Sequence, residues 1–165
     1  MPPMREWIAD AVAIGMGATI FMDLAGLARR HLFGTPLADY ALVGRWIGAM
    51  PRGRFIHRPI AASPPLWGEA VIGWCVHYLT GIVFAAVLLA LAGGGWARHP
   101  TILPALAVGI ASVAAPFLLM QPGMGLGIAA RRTPNPAAAR RRSLATHALF
   151  GIGLYGAGLA ASFWR

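Results

Sequence analysis

The sequence predicts an all-α membrane protein, a bundle of four transmembrane helices with two arginine-rich cytoplasmic loops. The composition disfavours a soluble domain, because 58% of the residues are apolar and 12% are charged, whereas soluble domains are about half apolar and about a quarter charged. Four long runs carry few charges or none, and arginines collect in two of the connections. We expect one integral membrane domain over residues 1–165, with helices at approximately 7–29, 67–92, 100–120 and 143–164.

The first apolar run, from Trp7 to Ala28, contains the carboxylates of Asp10 and Asp23. Charged side chains are costly in the hydrocarbon region, so both must face protein, water or the membrane interface. A signal peptide is the alternative interpretation, since the run ends in small residues. Arg5 is the only positive charge before the run and is offset by Glu6 and Asp10. We therefore expect a membrane helix.

The other three runs satisfy the bilayer criterion of about 20 apolar residues outright. Ala70 to Ala97 has 28 residues without Asp, Glu, Lys or Arg, Pro100 to Ala130 has 31, and Ser143 to Trp164 has 22. Pro104 and Pro116 predict bends in the third helix.

Small residues recur at helical spacing on the first and fourth helices. Such stripes let helix backbones approach closely in lipid, and Asp23 lies on one of them, so its carboxylate should point toward a partner helix. The stripes are Ala11, Gly15, Thr19 and Asp23 on the first helix, and Gly153, Ala157 and Ala161 on the fourth.

The arginines predict the orientation, because positively charged residues stay on the cytoplasmic side. Eleven lie in or beside the first and third connections, so we expect a bacterial cytoplasmic membrane with both termini in the periplasm. This distribution explains the net charge of +9 without a nucleic-acid partner, and it makes anionic lipid headgroups the expected contact. The eleven are Arg29, Arg30, Arg45, Arg52, Arg54, Arg58, Arg131, Arg132, Arg140, Arg141 and Arg142; Arg5, Arg98 and Arg165 lie on the other side.

The first connection predicts a short amphipathic helix in the membrane interface. Thr35 and Pro36 resemble an N-cap and a first helical position, and Pro51 would end the helix after Met50. Arg45 would interrupt its apolar face, as an interfacial helix requires. An ordinary structured loop is the alternative. The basic stretch at residues 51–58 is expected to rest on headgroups.

The C-terminal end of the third helix, at residues 121–127, is rich in glycine and is followed by two arginines; we call this segment the exit of the helix. Exposed backbone N–H groups there could hold an anion or a lipid headgroup. The spacing is neither a dinucleotide fingerprint nor a phosphate loop, and a flexible, closely packed helix exit is the alternative. The candidate contacts are Gln121, Gly123, Gly125, Gly127, Arg131 and Arg132.

Polar groups within or beside the spans are candidates for function. Asp23 and His147 lie at similar predicted distances from the cytoplasmic edge of the membrane, so we expect their side chains to meet there. The contact would be a proton relay or a structural hydrogen bond between helices one and four. His77 lies near the midplane, one turn from Thr80, and Glu69 lies at the start of the second helix. The single Cys75 and the scattered histidines form no metal-ligand or nucleophile–base motif, so we expect no metal and no cofactor, and an enzymatic activity is the least favoured of the functions considered below.

Several segments together resemble the bacterial membrane proteins grouped as domain of unknown function 2938. The resemblance covers nearly the whole chain and implies a small polytopic inner-membrane protein, without implying an activity. It also marks His77, His147 and residues 121–127 as positions that match its motifs. The segments are Tyr40–Trp46, Pro51–Phe55, Gly73–Tyr78, Met120–Gly125, Arg132–Pro134 and Thr146–Tyr155.

Three functions are open at this point. The first is transport or proton or ion handling, by a monomer or homodimer, through Asp23, His77 and His147. The second is an accessory or assembly subunit of a larger membrane complex, in which the same groups only hold helices together. The third is a membrane enzyme that acts on a lipid or other phosphate substrate at the arginine-rich face.

Overall fold

The computed structural model describes residues 3–93 and 95–163 of the chain. Within these ranges there is no β-strand, which confirms the predicted all-α class. All helices except the second are long and apolar enough to cross a membrane, and they lie where the four runs were found. Trp164 and Arg165 lie outside the described residues. The five helices are α1 (Met4–Phe33), α2 (Tyr40–Ala49), α3 (Glu69–Ala92), α4 (Ile102–Gly123) and α5 (Pro136–Ser162).

Two helices extend beyond their apolar runs, because the charged residues beside the runs are helical as well. α1 continues to Phe33 and ends where Gly34 adopts the left-handed conformation, with its N–H bonded to the Arg30 carbonyl. α5 begins at Pro136 instead of near residue 143. The side chain of Asn135 accepts the N–H of Ala138 at 3.0 Å and so caps this start.

The chain folds into two compact units. The first unit consists of Met1–Leu37, Tyr78–Ser112 and Ala145–Arg165, and the second of Ala38–His77 and Val113–Leu144. An apolar core lies within the first unit and includes the fully buried side chains of Ile14, Leu88 and Leu154.

Glycines bring helices of the first unit into backbone contact. A Cβ on Gly15 of α1 would lie 2.5 Å from the Cα atom of Ile82 on α3. A Cβ on Gly153 of α5 would lie 2.8 Å from the Ala18 carbonyl oxygen of α1. The small-residue stripes predicted on the first and fourth membrane helices, now α1 and α5, are therefore packing faces.

The second unit contains α2, the short helix predicted in the first connection. Its start differs from the prediction, because the cap is the side chain of Asp39, which accepts the N–H of Ala41 at 3.0 Å, and not Thr35. α2 ends at Ala49, and Pro51 lies in the 3₁₀ turn that follows. A Cβ on Gly73 of α3 would collide with the carbonyl oxygen of Tyr40, so α2 packs directly on the first turns of α3.

The two prolines of α4 have different effects. Pro104 falls in the first turn, where a helix needs no N–H donor, and the helix is regular from Ile102 to Ala111. Pro116 begins a π-helical segment that runs to Met120, since its missing N–H breaks the regular ladder. The irregularity predicted for this helix thus lies at Pro116 and not at Pro104.

Candidate functional site

A partly buried ion pair joins α2 to the start of α3. Arg45 donates through two nitrogens to the two carboxylate oxygens of Glu69, each at 2.8 Å, and through a third contact to the carbonyl oxygen of Ser63 at 2.8 Å. Glu69 also accepts the N–H of Leu66 at 2.8 Å. Hydrogen bonding to Glu69 raises the pKa of the Arg45 guanidinium above its usual range, because it favours the charged form.

The burial of Arg45 corrects the expectation that it lies on the polar face of an interfacial helix. Only 9% of Arg45 is exposed. The reason lies in its neighbour Gly44, since a Cβ there would collide with the carbonyl oxygen of Glu69. With only a hydrogen atom at this position, α2 comes close enough to α3 for the guanidinium to reach the carboxylate.

The ion pair continues through Ser63 to an imidazole. The Ser63 hydroxyl and His57 Nδ1 are 3.0 Å apart, and 8% of His57 is exposed. Its other nitrogen, Nε2, is buried and has no hydrogen-bond partner among the described residues. His57 is the last member of a chain of contacts that we call the buried polar chain, formed by Glu69, Arg45, Ser63 and His57. The headgroup contact predicted for residues 51–58 stays a prediction for the exposed arginines of this stretch.

The glycine-rich exit of α4 packs against this polar chain. The N–H groups of His57 and Ile60 donate to the carbonyl oxygens of Gly123 and Met124, at 2.8 and 3.0 Å. Gln121 is 6% exposed, and its Oε1 atom has no hydrogen-bond partner in the described part of the chain.

Two glycines of this exit explain the close packing. A Cβ on Gly123 would lie 2.5 Å from the Trp46 Nε1 atom, and Gly125, at φ 87°, would collide with the carbonyl oxygen of His57 if it carried a Cβ. The four N–H groups from Ala130 to Thr133 donate to carbonyls of the same loop, so they do not face outward. The end of α4 is therefore closely packed, as one of the two interpretations expected. Anion contacts of the exposed Arg131 and Arg132, which follow Gly127, stay a prediction.

The first unit gives Asp23 and His147 different partners, which corrects the expected contact between them. Asp23 accepts the hydroxyl of Tyr78 at 3.4 Å. His147 Nδ1 lies 2.6 Å from the Ser112 hydroxyl, which itself donates to the Gly109 carbonyl oxygen at 2.6 Å. Gly109 contacts the backbone of Gly151, so α5 presents His147 to α4, whereas Asp23 of α1 faces α3.

His77 and Thr80 complete the set of predicted polar groups. In the second unit, His77 stacks on the ring of Tyr40 with centroids 4.1 Å apart, and the edge of Trp74 approaches it at 5.7 Å. The imidazole thus contributes to the packing of α2 on α3. Thr80 lies three residues further along α3, within the first unit.

The first unit also holds an open cavity of about 420 Å³, lined by Glu6, Ala9, Asp10 and Arg98. Asp10 is 5% exposed and forms part of the wall, while Glu6 and Arg98 are exposed. From the sequence, Asp10 is expected only to face protein, water or the membrane interface, and not to line a cavity. The sequence pattern that points to this cavity is the pair of carboxylates of Glu6 and Asp10, which are four residues apart and therefore share one face of a helix.

A comparison with protein-family models places most of the chain in a family. A family model described as "Protein of unknown function (DUF2938)" matches residues 12–161, which confirms the resemblance drawn from the sequence segments. No curated protein and no solved structure matches the chain.

Proposed function

Since the chain belongs to the family of proteins of unknown function DUF2938, we propose from its own geometry that it handles protons or small cations in a membrane. In this proposal the chain is one integral domain of a bacterial cytoplasmic membrane, with its arginine-rich connections in the cytoplasm and both termini in the periplasm. Four helices of sufficient length and hydropathy support the multi-pass arrangement.

The observation that carries the proposal is the carboxylate of Asp10 in the wall of the open cavity. Asp10 belongs to a candidate membrane span and is 5% exposed. Ionisable residues inside spans are rare and mark ion or proton pathways when they face a water-accessible cavity. Glu6 adds a second negative group and Arg98 a positive one, so the cavity attracts a cation while the guanidinium limits its affinity.

A second carboxylate lies further along the same helix. Asp23 is 13 residues, or about 20 Å, from Asp10 at the rise of an α-helix, and it accepts the Tyr78 hydroxyl. Between them Ile14 and Ala18 are completely buried in the core. In this proposal each carboxylate exchanges protons or cations separately, Asp10 in the cavity and Asp23 beside Tyr78. Passage between them requires the packing around Ile14 to loosen.

Proton flux into liposomes tests this proposal. The purified chain is reconstituted with an internal pH dye, and a potential is imposed with potassium and valinomycin. We expect flux above that of empty liposomes, and its loss in Asp10→Asn and Asp23→Asn. Asp39→Asn is the matched control, because it removes a carboxylate outside the spans and asparagine caps a helix as well as aspartate does.

Unfolding must be separated from loss of function in these variants. Thermal stability is measured on the same preparations, and Asp10→Glu, which keeps the charge, is expected to retain flux. Flux at the level of empty liposomes for the natural chain, or equal flux in Asp10→Asn and Asp39→Asn, contradicts the proposal.

An accessory or assembly subunit is the second candidate function. The hydrogen bonds from Tyr78 to Asp23 and between Ser112 and His147 join different helices, and such bonds hold membrane helices together without any transport. Extraction in mild detergent, size separation and mass spectrometry distinguish the two candidates. Stoichiometric partners favour the subunit, whereas a lone monomer or homodimer with proton flux favours the first proposal.

Anionic lipid headgroups are the proposed contact of the arginine-rich connections. Arg140, Arg141 and Arg142 are exposed at the start of α5, and juxtamembrane arginines are attracted by about 1 kcal/mol each to an anionic membrane surface. We expect the chain to unfold at a higher temperature in nanodiscs that contain phosphatidylglycerol than in phosphatidylcholine alone. Replacement of the three arginines by glutamine should remove this difference.

A further inference from the structure

The second unit holds two buried polar atoms that no described protein atom satisfies, His57 Nε2 and Gln121 Oε1. A buried donor or acceptor without a partner costs about 1–3 kcal/mol, and such atoms are rare in folded proteins. Both residues are more than nine-tenths buried. We infer that His57 and Gln121 form one binding site for a small neutral molecule that donates and accepts hydrogen bonds.

The backbone contacts bring the two side chains into reach of one molecule. The His57 N–H lies 2.8 Å from the carbonyl oxygen of Gly123, and Gln121 precedes Gly123 by two residues in the same helical turn. With standard backbone dimensions, the Cα atoms of His57 and Gln121 are no more than about 12 Å apart. Two side chains of this length and one small molecule span that distance.

The surrounding groups restrict the ligand to a small molecule. Gly123 already touches the Trp46 ring, and Gly125 touches the carbonyl oxygen of His57. The backbone on this side of the site is therefore packed against other protein atoms. The inferred ligand is therefore a molecule of the size of water, or the hydroxyl end of a larger one. A cavity that holds a water molecule needs two to four polar partners, and the site supplies an imidazole nitrogen and an amide oxygen.

Charge excludes an ion as the ligand. The formal charges of the buried polar chain are those of Arg45 and Glu69, which bind each other at 2.8 Å. A cation placed against His57 Nε2 and Gln121 Oε1 would lie beside a polar chain whose carboxylate is already neutralised by Arg45, and an anion would face the lone pairs of the Gln121 amide oxygen, so both are unfavourable. A neutral donor and acceptor avoids this cost, because it donates to the amide oxygen and pairs with the imidazole in either tautomer.

The bound molecule would extend the buried polar chain from Glu69 through His57 to the exit of α4. This inference does not depend on the proposed proton function, because Asp10 and Asp23 lie in the first unit and His57 and Gln121 in the second. Loss of proton flux therefore says nothing about this site, and an empty site says nothing about flux.

The sign of a stability change tests the inference. Gln121→Met removes the amide oxygen and keeps an unbranched side chain of similar length, and His57→Asn keeps an amide nitrogen near Ser63 but lacks the Nε2 atom. If the two atoms were unsatisfied, Gln121→Met, which keeps the side-chain volume, would leave stability unchanged or raise it, and His57→Asn would lose only the packing of the removed ring atoms. If they hold a ligand, each variant should lower the unfolding temperature by roughly 3–6 °C. Met124→Leu, a volume-conserving change at a buried position of the same exit, is the control.

The double variant tests whether the two atoms share one ligand. We expect His57→Asn with Gln121→Met to lose less than the sum of the single losses, since the first change already releases the molecule. A high-resolution structure in nanodiscs should show density of one water-sized molecule within hydrogen-bond distance of both atoms. Unchanged or raised stability, additive losses, or density of a metal ion or an anion would overturn the inference.

Discussion

The contact between α4 and α5 provides a sharp test of how glycines position the polar groups of the first unit. Gly151 and Gly156 lie on the same helix. A Cβ on Gly151 would lie 2.9 Å from the Leu106 Cα atom and 3.1 Å from the Ala105 carbonyl oxygen, whereas no atom of the described chain lies within 4 Å of a Cβ on Gly156. The same substitution, glycine to alanine, should therefore have opposite effects at the two positions.

The magnitude follows from these distances. Carbon atoms pack best at about 3.5–4.0 Å, so the Gly151→Ala variant must separate the helices by at least about 0.6 Å. Overpacking of this kind costs about 1–3 kcal/mol. Alanine in place of glycine stabilises a helix by about 0.5–1 kcal/mol, and this gain is common to both variants. The free energies of unfolding of the two variants therefore differ by the packing cost alone. Gly156→Ala should be more stable than the natural chain.

Unfolding in detergent micelles measures this difference. The purified variants are titrated with sodium dodecyl sulfate, and helicity is followed by circular dichroism. We expect Gly151→Ala to unfold at a lower detergent fraction than the natural chain, and Gly156→Ala at a higher one. Equal midpoints for the two variants would refute the reasoning, because they would mean that α4 and α5 do not approach at Gly151.

Three further predictions use the same titration. Ser112→Ala leaves the Nδ1 atom of His147 without its partner and should cost about 1–3 kcal/mol; a midpoint equal to that of the natural chain contradicts this. Ala129→Gly should stabilise by about 1 kcal/mol, because Ala129 has φ 47° and non-glycine residues are disfavoured in the left-handed region; a lower midpoint would show that the backbone there is not strained. Glu69→Gln should lower the midpoint, since it removes the negative charge that faces Arg45, and Arg45→Leu combined with Glu69→Leu should recover part of the loss; failure to recover any would contradict the ion-pair account.

The predicted site residues show which properties can be read from local sequence. Depth along the apolar runs predicted Asp23 and His147 near span ends, but α1 continues ten residues past Asp23 and α5 begins eleven residues before His147. Depth also did not say which helices are neighbours. His147 pairs with Ser112, 35 residues away, and Arg45 with Glu69, 24 residues away. No local pattern connects such pairs, because each depends on how closely two helices pack.

Inspection of the residues alone was enough to predict the all-helical fold, the positions of four apolar helices, the packing stripes on α1 and α5, and the family. These properties depend on hydropathy, side-chain volume and spacing within one segment, which are local. The partners of the polar groups and the burial of His57 and Gln121 depend on the three-dimensional packing. The physical reason is that glycines such as Gly44 and Gly125 allow backbones to touch, and the resulting contacts, more than the polar residues themselves, select which side chains meet.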